Sequence, residues 1–319
     1  MAKMLLNLAV LVASAIVLSR SSVYLIDRLT RIAIKLRVSE YLVGFVIMAV
    51  ATSLPELAVG ITSAIDANPT LSLGNVLGSN ILNLTLVLGL AALVAGGLRL
   101  ETQVRNREVF YMDLIAISPL ILLLDGHLSR IEGVILLILF AIYMYTLIFQ
   151  SREYHKVYKN HKRDGSIWKE LALLLLGTAV LVGSADVLVR SAQELALALN
   201  MPEIIIGIFL IALSTSLPEI ATAIPAAIRR QGGLVMGNLI GSTVTNSTLI
   251  LGVTALISPI TIQAPEIFGA SALTLVVTLF FFTIFVRSGY RISRVEAITL
   301  ILGYIAYIVG IELFYTSGL

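Results

Sequence analysis

Cysteine is absent from the 319 residues, and histidine occurs only three times. Disulfides, thiol chemistry and cysteine-based metal sites are thereby excluded. Charge is scarce as well: Asp, Glu, Lys and Arg make up 13% of the chain, against roughly 25% in a soluble domain. No sizeable soluble domain is expected. His127, His155 and His161 all fall in connections between apolar stretches. An intramembrane enzyme would therefore lack a buried base or a metal-bound water, and that class is disfavoured. Residues 1–19 are apolar, but no small-residue cleavage site leads into a soluble part, so no cleaved signal is expected.

What is present is apolar. Hydrophobic residues make up 58% of the chain, and runs long enough to cross a bilayer as helices recur throughout. The pattern predicts an all-α membrane protein with ten transmembrane helices, at 4–27, 40–65, 71–96, 106–124, 129–150, 168–199, 203–228, 234–257, 265–286 and 293–315. The sequence pI near 9.1 then reports orientation in the membrane and does not point to nucleic acid.

One stretch occurs twice. GFVIMAVATSLPE (44–56) and GNVLGSNILN (74–83) return as GIFLIALSTSLPE (207–219) and GNLIGSTVTN (237–246). A single shift of 163 residues carries Glu56 onto Glu219 and Asn83 onto Asn246. Further along, SRIEGVILLIL (129–139) matches SRVEAITLILG (293–303) one residue out of that register. Each half is thus a five-helix unit: 1–150, then a linker at 151–167, then 168–319. Five spans is an odd number, so the second unit enters from the opposite face and the repeats are inverted. The basic residues agree. All Lys and Arg except Lys3, Arg20, Arg130 and Arg190 fall on one side of this topology. By the positive-inside rule that side, with the 151–167 loop, is cytoplasmic and both termini are extracellular.

The repeated motif places proline and glutamate in apolar sequence. Pro55 and Pro218 free carbonyls in the turn before them. Glu56 and Glu219 follow at once, and a carboxylate costs about 3 kcal/mol at the centre of a membrane helix. Thr52, Ser53, Thr215 and Ser216 add hydroxyls. Such an all-oxygen cluster suits hard cations such as Ca²⁺ or Na⁺. No sulfur or imidazole is nearby to favour zinc or copper. Two carboxylates brought together are neutralised by one Ca²⁺, two Na⁺ or two H⁺, and this competition is a physical basis for exchange. Ser79 and Asn83, like Ser242 and Asn246, lie four apart and share a helix face. They fit either of two roles, completing the cage or bonding between helices. Gly74, Gly78, Gly237 and Gly241 are best read as close-packing positions. Elsewhere, Asp186 and Arg190 are spaced for an ion pair, Asp113 is expected at the interface, and Glu132 and Glu296 are expected to complement helix starts.

Duplicated SLPE glutamates, each followed by GNxxGS in a five-helix half, resemble the Ca²⁺/cation antiporter superfamily, in particular prokaryotic sodium/calcium exchangers. The resemblance implies a calcium site at Glu56, Glu219, Thr52 and Thr215. It implies sodium or auxiliary positions at Ser53, Ser79, Asn83, Ser216, Ser242 and Asn246, with backbone at Ala49 and Ala212. Asn246 departs from the aspartate that many such exchangers carry, and an amide neither titrates nor adds charge. The resemblance also implies sliding of helices 1 and 6 over helices 2, 3, 7 and 8. The expected function is a secondary active antiporter in the cell membrane that exports Ca²⁺ against inward Na⁺. A Ca²⁺/H⁺ antiporter is the alternative and a cation channel a third reading. Partners are the ions and the lipid bilayer. No cofactor, nucleic acid or obligate protein partner is expected.

Overall fold

The computed structural model describes residues 2–35, 49–99, 106–151, 167–199, 201–289 and 291–317. The expectations for the first part of helix 2, residues 40–48, and for most of the 151–167 linker lie outside these residues.

The described chain is helical, in the order α1 (Ala2–Lys35), α2 (Ala49–Thr52 and Leu54–Ile65), α3 (Pro69–Val94), α4 (Asn106–Leu122), α5 (Arg130–Ser151), α6 (Ile167–Leu199), α7 (Glu203–Thr215 and Leu217–Ile228), α8 (Gly232–Ile257), α9 (Pro265–Arg287) and α10 (Arg294–Ser317). Among the described residues, seven helices are long and apolar enough to cross a membrane, or eight when the bent α7 counts as one. This is a multi-pass membrane protein. α1 runs beyond its expected end at residue 27, and the basic segment that follows is helical as far as Lys35.

The two halves break at the same places. α2 is interrupted at Ser53 (φ −83°, ψ 4°) and α7 at Ser216 (φ −84°, ψ 3°), each one residue before a Leu-Pro that starts the next helical segment. Proline cannot donate to the turn before it, so both helices restart there. α7 bends by 45° at this point. α3 and α8 each contain a π-helical stretch, Asn83–Val87 and Asn246–Ile250, related by the same 163-residue shift. Each π turn begins on the motif asparagine.

Two short antiparallel ribbons, not expected from the sequence, tie the ends of the bundle. β1 (Leu98–Arg99) pairs with β4 (Arg291–Ile292), and β2 (His127–Leu128) pairs with β3 (Ile260–Thr261). Thus the α3–α4 connection meets the α9–α10 connection, and the α4–α5 connection meets the α8–α9 connection.

Close packing holds the centre. A Cβ on Gly74 would stand 2.5 Å from the Ile204 carbonyl oxygen, and one on Gly78 would stand 2.3 Å from that of Ile208. Only glycine lets the α3 and α7 backbones approach this far. α1 and α6 form a second apolar cluster, with Leu11, Leu18 and Leu25 against Leu181, Leu188 and Leu195. They run antiparallel: Asn7 Nδ2 donates to Glu194 at 2.8 Å, and Arg28 pairs with Glu170 at 3.0 Å at the other end.

Asp113 has a specific partner. It accepts a hydrogen bond from Thr283 Oγ1 at 2.6 Å and so joins α4 to α9 within the bundle. Asp186 and Arg190 do form the expected pair, at 3.0 Å. Glu132 and Glu296 act more specifically than a dipole argument implies. Each accepts the backbone N–H of the serine three residues earlier at 2.7 Å, and that serine's hydroxyl accepts from the glutamate N–H, a reciprocal cap.

Candidate functional site

The breaks in α2 and α7 bring Glu56 and Glu219 into the middle of the helical core. Both are fully buried, and they are close enough for their charges to interact. Neither faces lipid.

Each carboxylate is held by hydroxyls from both halves. Ser79 Oγ donates to Glu56 Oε1 at 3.4 Å and Ser216 Oγ donates to the same oxygen at 3.5 Å. The Thr215 hydroxyl lies beside the same carboxylate. On the other side Ser242 Oγ donates to Glu219 Oε1 at 3.5 Å, and the Thr52 hydroxyl lies beside that carboxylate. These are long contacts, and in both glutamates Oε2 is buried with no partner. An orphaned carboxylate oxygen in a protein interior is costly unless a proton or cation meets it.

The threonines sit in mirrored cradles. Thr215 Oγ1 donates to Asn75 Oδ1 at 3.1 Å and lies 3.4 Å from Ser79 Oγ. Thr52 Oγ1 donates to Asn238 Oδ1 at 3.1 Å and lies 3.1 Å from Ser242 Oγ. The carbonyls of Ala49 and Ala212 take part as well, accepting from Thr52 and Thr215 at 3.3 Å. Asn75 and Asn238 are therefore part of the site, although they were not expected there. Their signal was the asparagine of the repeated GNxxGS, one turn before the serine.

The π turns place the remaining residues. Asn83 is fully buried with neither side-chain atom partnered, and Asn246 leaves Oδ1 free. Asn246 Nδ2 donates to Asn80 Oδ1 at 3.1 Å, while Asn80 Nδ2 donates to Ser247 Oγ at 2.9 Å. Asn80 thus holds one end of the Asn246 amide and leaves the other end, here the oxygen, free. It too was missed, because its repeat counterpart is Thr243 and the duplication hides it. Ser53 is buried, and its Oγ has no partner. The carbonyl of Ala51, freed by Pro55, accepts from Ser22 Oγ of α1 at 3.4 Å.

Among the described residues no group of three or more His, Cys, Asp or Glu could hold a metal. The charge available at the centre is that of two carboxylates, and every other donor is a neutral oxygen. This donor set matches a hard cation passing through better than a tightly held transition metal.

A family model described as "Sodium/calcium exchanger protein" matches residues 6–149 and 169–311. The chain belongs to the sodium/calcium exchanger family. It is 29% identical to sodium/calcium exchanger MaX1 of Methanosarcina acetivorans, over 97% of this chain and 99% of the relative. It is 30% identical to the putative antiporter CaxA of Alkalimonas amylolytica, over 86% of this chain and 89% of the relative. The solved sodium-calcium exchanger NCX_Mj, soaked with Na⁺ and Sr²⁺, superposes with a TM-score of 0.69 at 30% identity. That match covers 96% of this chain and 98% of the solved one. In this exchanger-family chain each matched segment holds one copy of the repeated motif and contributes one fully buried glutamate.

Proposed function

We propose that the chain is a secondary active antiporter that exchanges Ca²⁺ for Na⁺ and exports calcium by alternating access. The observation that carries this is the pair Glu56 and Glu219, one from each repeat, both fully buried and both with one oxygen unpartnered. In this reading Ca²⁺ lies between the two carboxylates, with the Thr52 and Thr215 backbone completing its shell. Ser53, Ser79, Ser216, Ser242, Asn83, Asn246 and the backbone at Ala49 and Ala212 serve sodium or help position it. One divalent ion or several monovalent ions satisfy the same charge, so the two cargoes exclude each other.

The ten-span, inverted arrangement is part of the proposal. Two observations support it. The repeat counterparts α1 and α6 run antiparallel, as the Asn7–Glu194 and Arg28–Glu170 contacts at their opposite ends require. The ribbons join the α3–α4 connection to the α9–α10 connection, and parallel repeats would put those on opposite faces. The α1–α6 pair is then the part that slides across the core, with the side rich in basic connectors cytoplasmic and both termini outside.

The test is calcium flux into liposomes holding the purified protein. A sodium gradient is expected to drive it, and a pH gradient without sodium is not. Flux driven by pH alone would make protons the coupling ion. Current that reverses independently of any counter-ion gradient would replace exchange with a channel.

A further inference from the structure

At one end of the bundle the ribbon β1–β4 forms the wall of a second cavity, of about 280 Å³. Ala95, Gly96, Gly97, Leu98, Arg99, Ala227, Arg230 and Arg291 line it. Arg99 and Arg291 are register partners across the ribbon. Like charges directly opposite in an antiparallel pair are destabilising. Arg230 enters from the C-terminal end of α7. Arg294 lies over Gly96, where a Cβ would stand 3.1 Å from its Nη2, and Arg291 lies over Gly97, where a Cβ would stand 2.8 Å from its Nη2. Both glycines have positive φ, 72° and 110°. The start of α8 packs on the same wall, since a Cβ on Gly232 would meet the Arg99 carbonyl oxygen at 1.9 Å. The N-terminal end of the α8 dipole adds positive potential there. Among the described residues no carboxylate forms an ion pair with Arg99, Arg230, Arg291 or Arg294. Among the described residues the one hydrogen bond from these guanidiniums is from Arg291 Nη2 to the Gly96 carbonyl, at 3.4 Å.

The repeat supplies an internal control. Strand register places Thr261 where Arg99 stands and His127 where Arg291 stands, and their side chains hydrogen bond at 3.1 Å. Ala67 is the counterpart of Arg230 and adopts the same left-handed backbone, φ 56° against 60°. The architecture of this corner therefore does not need arginine. A rule that keeps basic residues on one face of the membrane explains their sidedness. It does not explain their convergence, from three separate connections, on one cavity.

We propose that this cavity binds a phosphate-bearing anion. Guanidinium forks match phosphate oxygens, and an anion here relieves the Arg99–Arg291 repulsion. The phosphate would come either from an anionic lipid headgroup or from a soluble phosphate. Binding clamps the end of the α7 segment that carries Glu219 to the α3–α4 and α9–α10 connections, so the site is placed to act on exchange from outside the cation path.

The test uses the full chain purified in detergent. Its thermal midpoint is followed while inorganic phosphate, phosphatidylglycerol or phosphatidylcholine is added. Inorganic phosphate or phosphatidylglycerol is expected to raise the midpoint by about 3 °C or more, and phosphatidylcholine is not. A response to phosphatidylglycerol alone identifies a headgroup, and a response to inorganic phosphate identifies a soluble ligand. Arg230→Ala, which copies Ala67, and Arg291→Gln are each expected to weaken binding about tenfold. Arg130→Ala, at the repeat counterpart of Arg294, is expected to leave binding unchanged. The proposal is overturned if neither anionic probe shifts the wild-type midpoint, or if the shift survives in both Arg230→Ala and Arg291→Gln. Failure of calcium flux does not bear on this readout, and failure of binding does not bear on the cation site.

Discussion

In an apolar 18-residue stretch of α3 and of α8, 83% and 78% of the residues are buried, whereas in the like stretches of α1 and α6 the shares are 44% and 33%. The two regions also use polar groups differently. In the core some hydroxyls, such as Thr243 and Thr248, bond back to their own helix, but others reach from one repeat to the other, as Thr52 does to Asn238, Thr215 to Asn75, and the Asn80 amide to Ser247. In the outer pair they turn back on their own helix. Ser14, Ser21 and Ser184 donate to the carbonyls of Leu11, Leu18 and Leu181, three residues earlier. Asn7 instead reaches Glu194 within the pair, and Ser22 bonds to Ala51 in the core, where its counterpart on α6 is Ala185. The core is thus cross-linked and the outer pair lies against it through apolar contact. Apolar contact between helices in lipid is non-directional and permits sliding, whereas interlocked hydrogen bonds and glycine contacts do not.

This contrast can be broken at several points. The largest effect is expected from Glu56→Gln or Glu219→Gln. Each removes half the charge of the centre at constant volume, and calcium flux should fall by about a hundredfold or more. Flux near the wild-type level would move the cation site elsewhere. Next, Gly78→Ala drives a methyl into the Ile208 carbonyl and should destabilise the protein by about 1–3 kcal/mol. Gly183→Ala on α6, which has no atom within 4 Å of the added methyl, should be neutral. Equal thermal midpoints for the two variants would mean the α3–α7 contact is less rigid than its geometry.

Smaller effects sharpen the comparison. Asn80→Ala frees the Asn246 amide to rotate, so the sodium dependence of flux should shift by about threefold, roughly the worth of one interhelical hydrogen bond. Asn246→Asp should shift it in a different way, by adding a charge, and would make flux pH-dependent. An unchanged sodium and pH response in both variants would remove Asn246 from the ion path. Smallest is Glu170→Gln, which weakens the Arg28 tie between α1 and α6. Its cost should be about 0.6 kcal/mol in stability, with the turnover rate changing more than calcium affinity if the pair moves as one body.

The 163-residue duplication, the apolar runs and the cost of two carboxylates in lipid were all readable from the amino-acid sequence. They named the membrane class, the paired glutamates and the hydroxyls beside them, because a charge in an apolar run needs a reason wherever the chain folds. Tertiary structure decided what lies between the repeats. Asn75 and Asn238 join the site only because each is aimed at the threonine of the other half, and Asn80 matters only because it faces Asn246. Asp113 could be placed near a helix start from the sequence, but its bond to Thr283 of α9 appears only in the fold. The arginines of the second cavity are unremarkable one at a time, and gain meaning from a two-residue ribbon that brings Arg99 opposite Arg291. Local pattern carries periodicity and burial cost, while contacts between residues far apart in sequence depend on backbone breaks and π turns whose consequences appear only once the helices are packed.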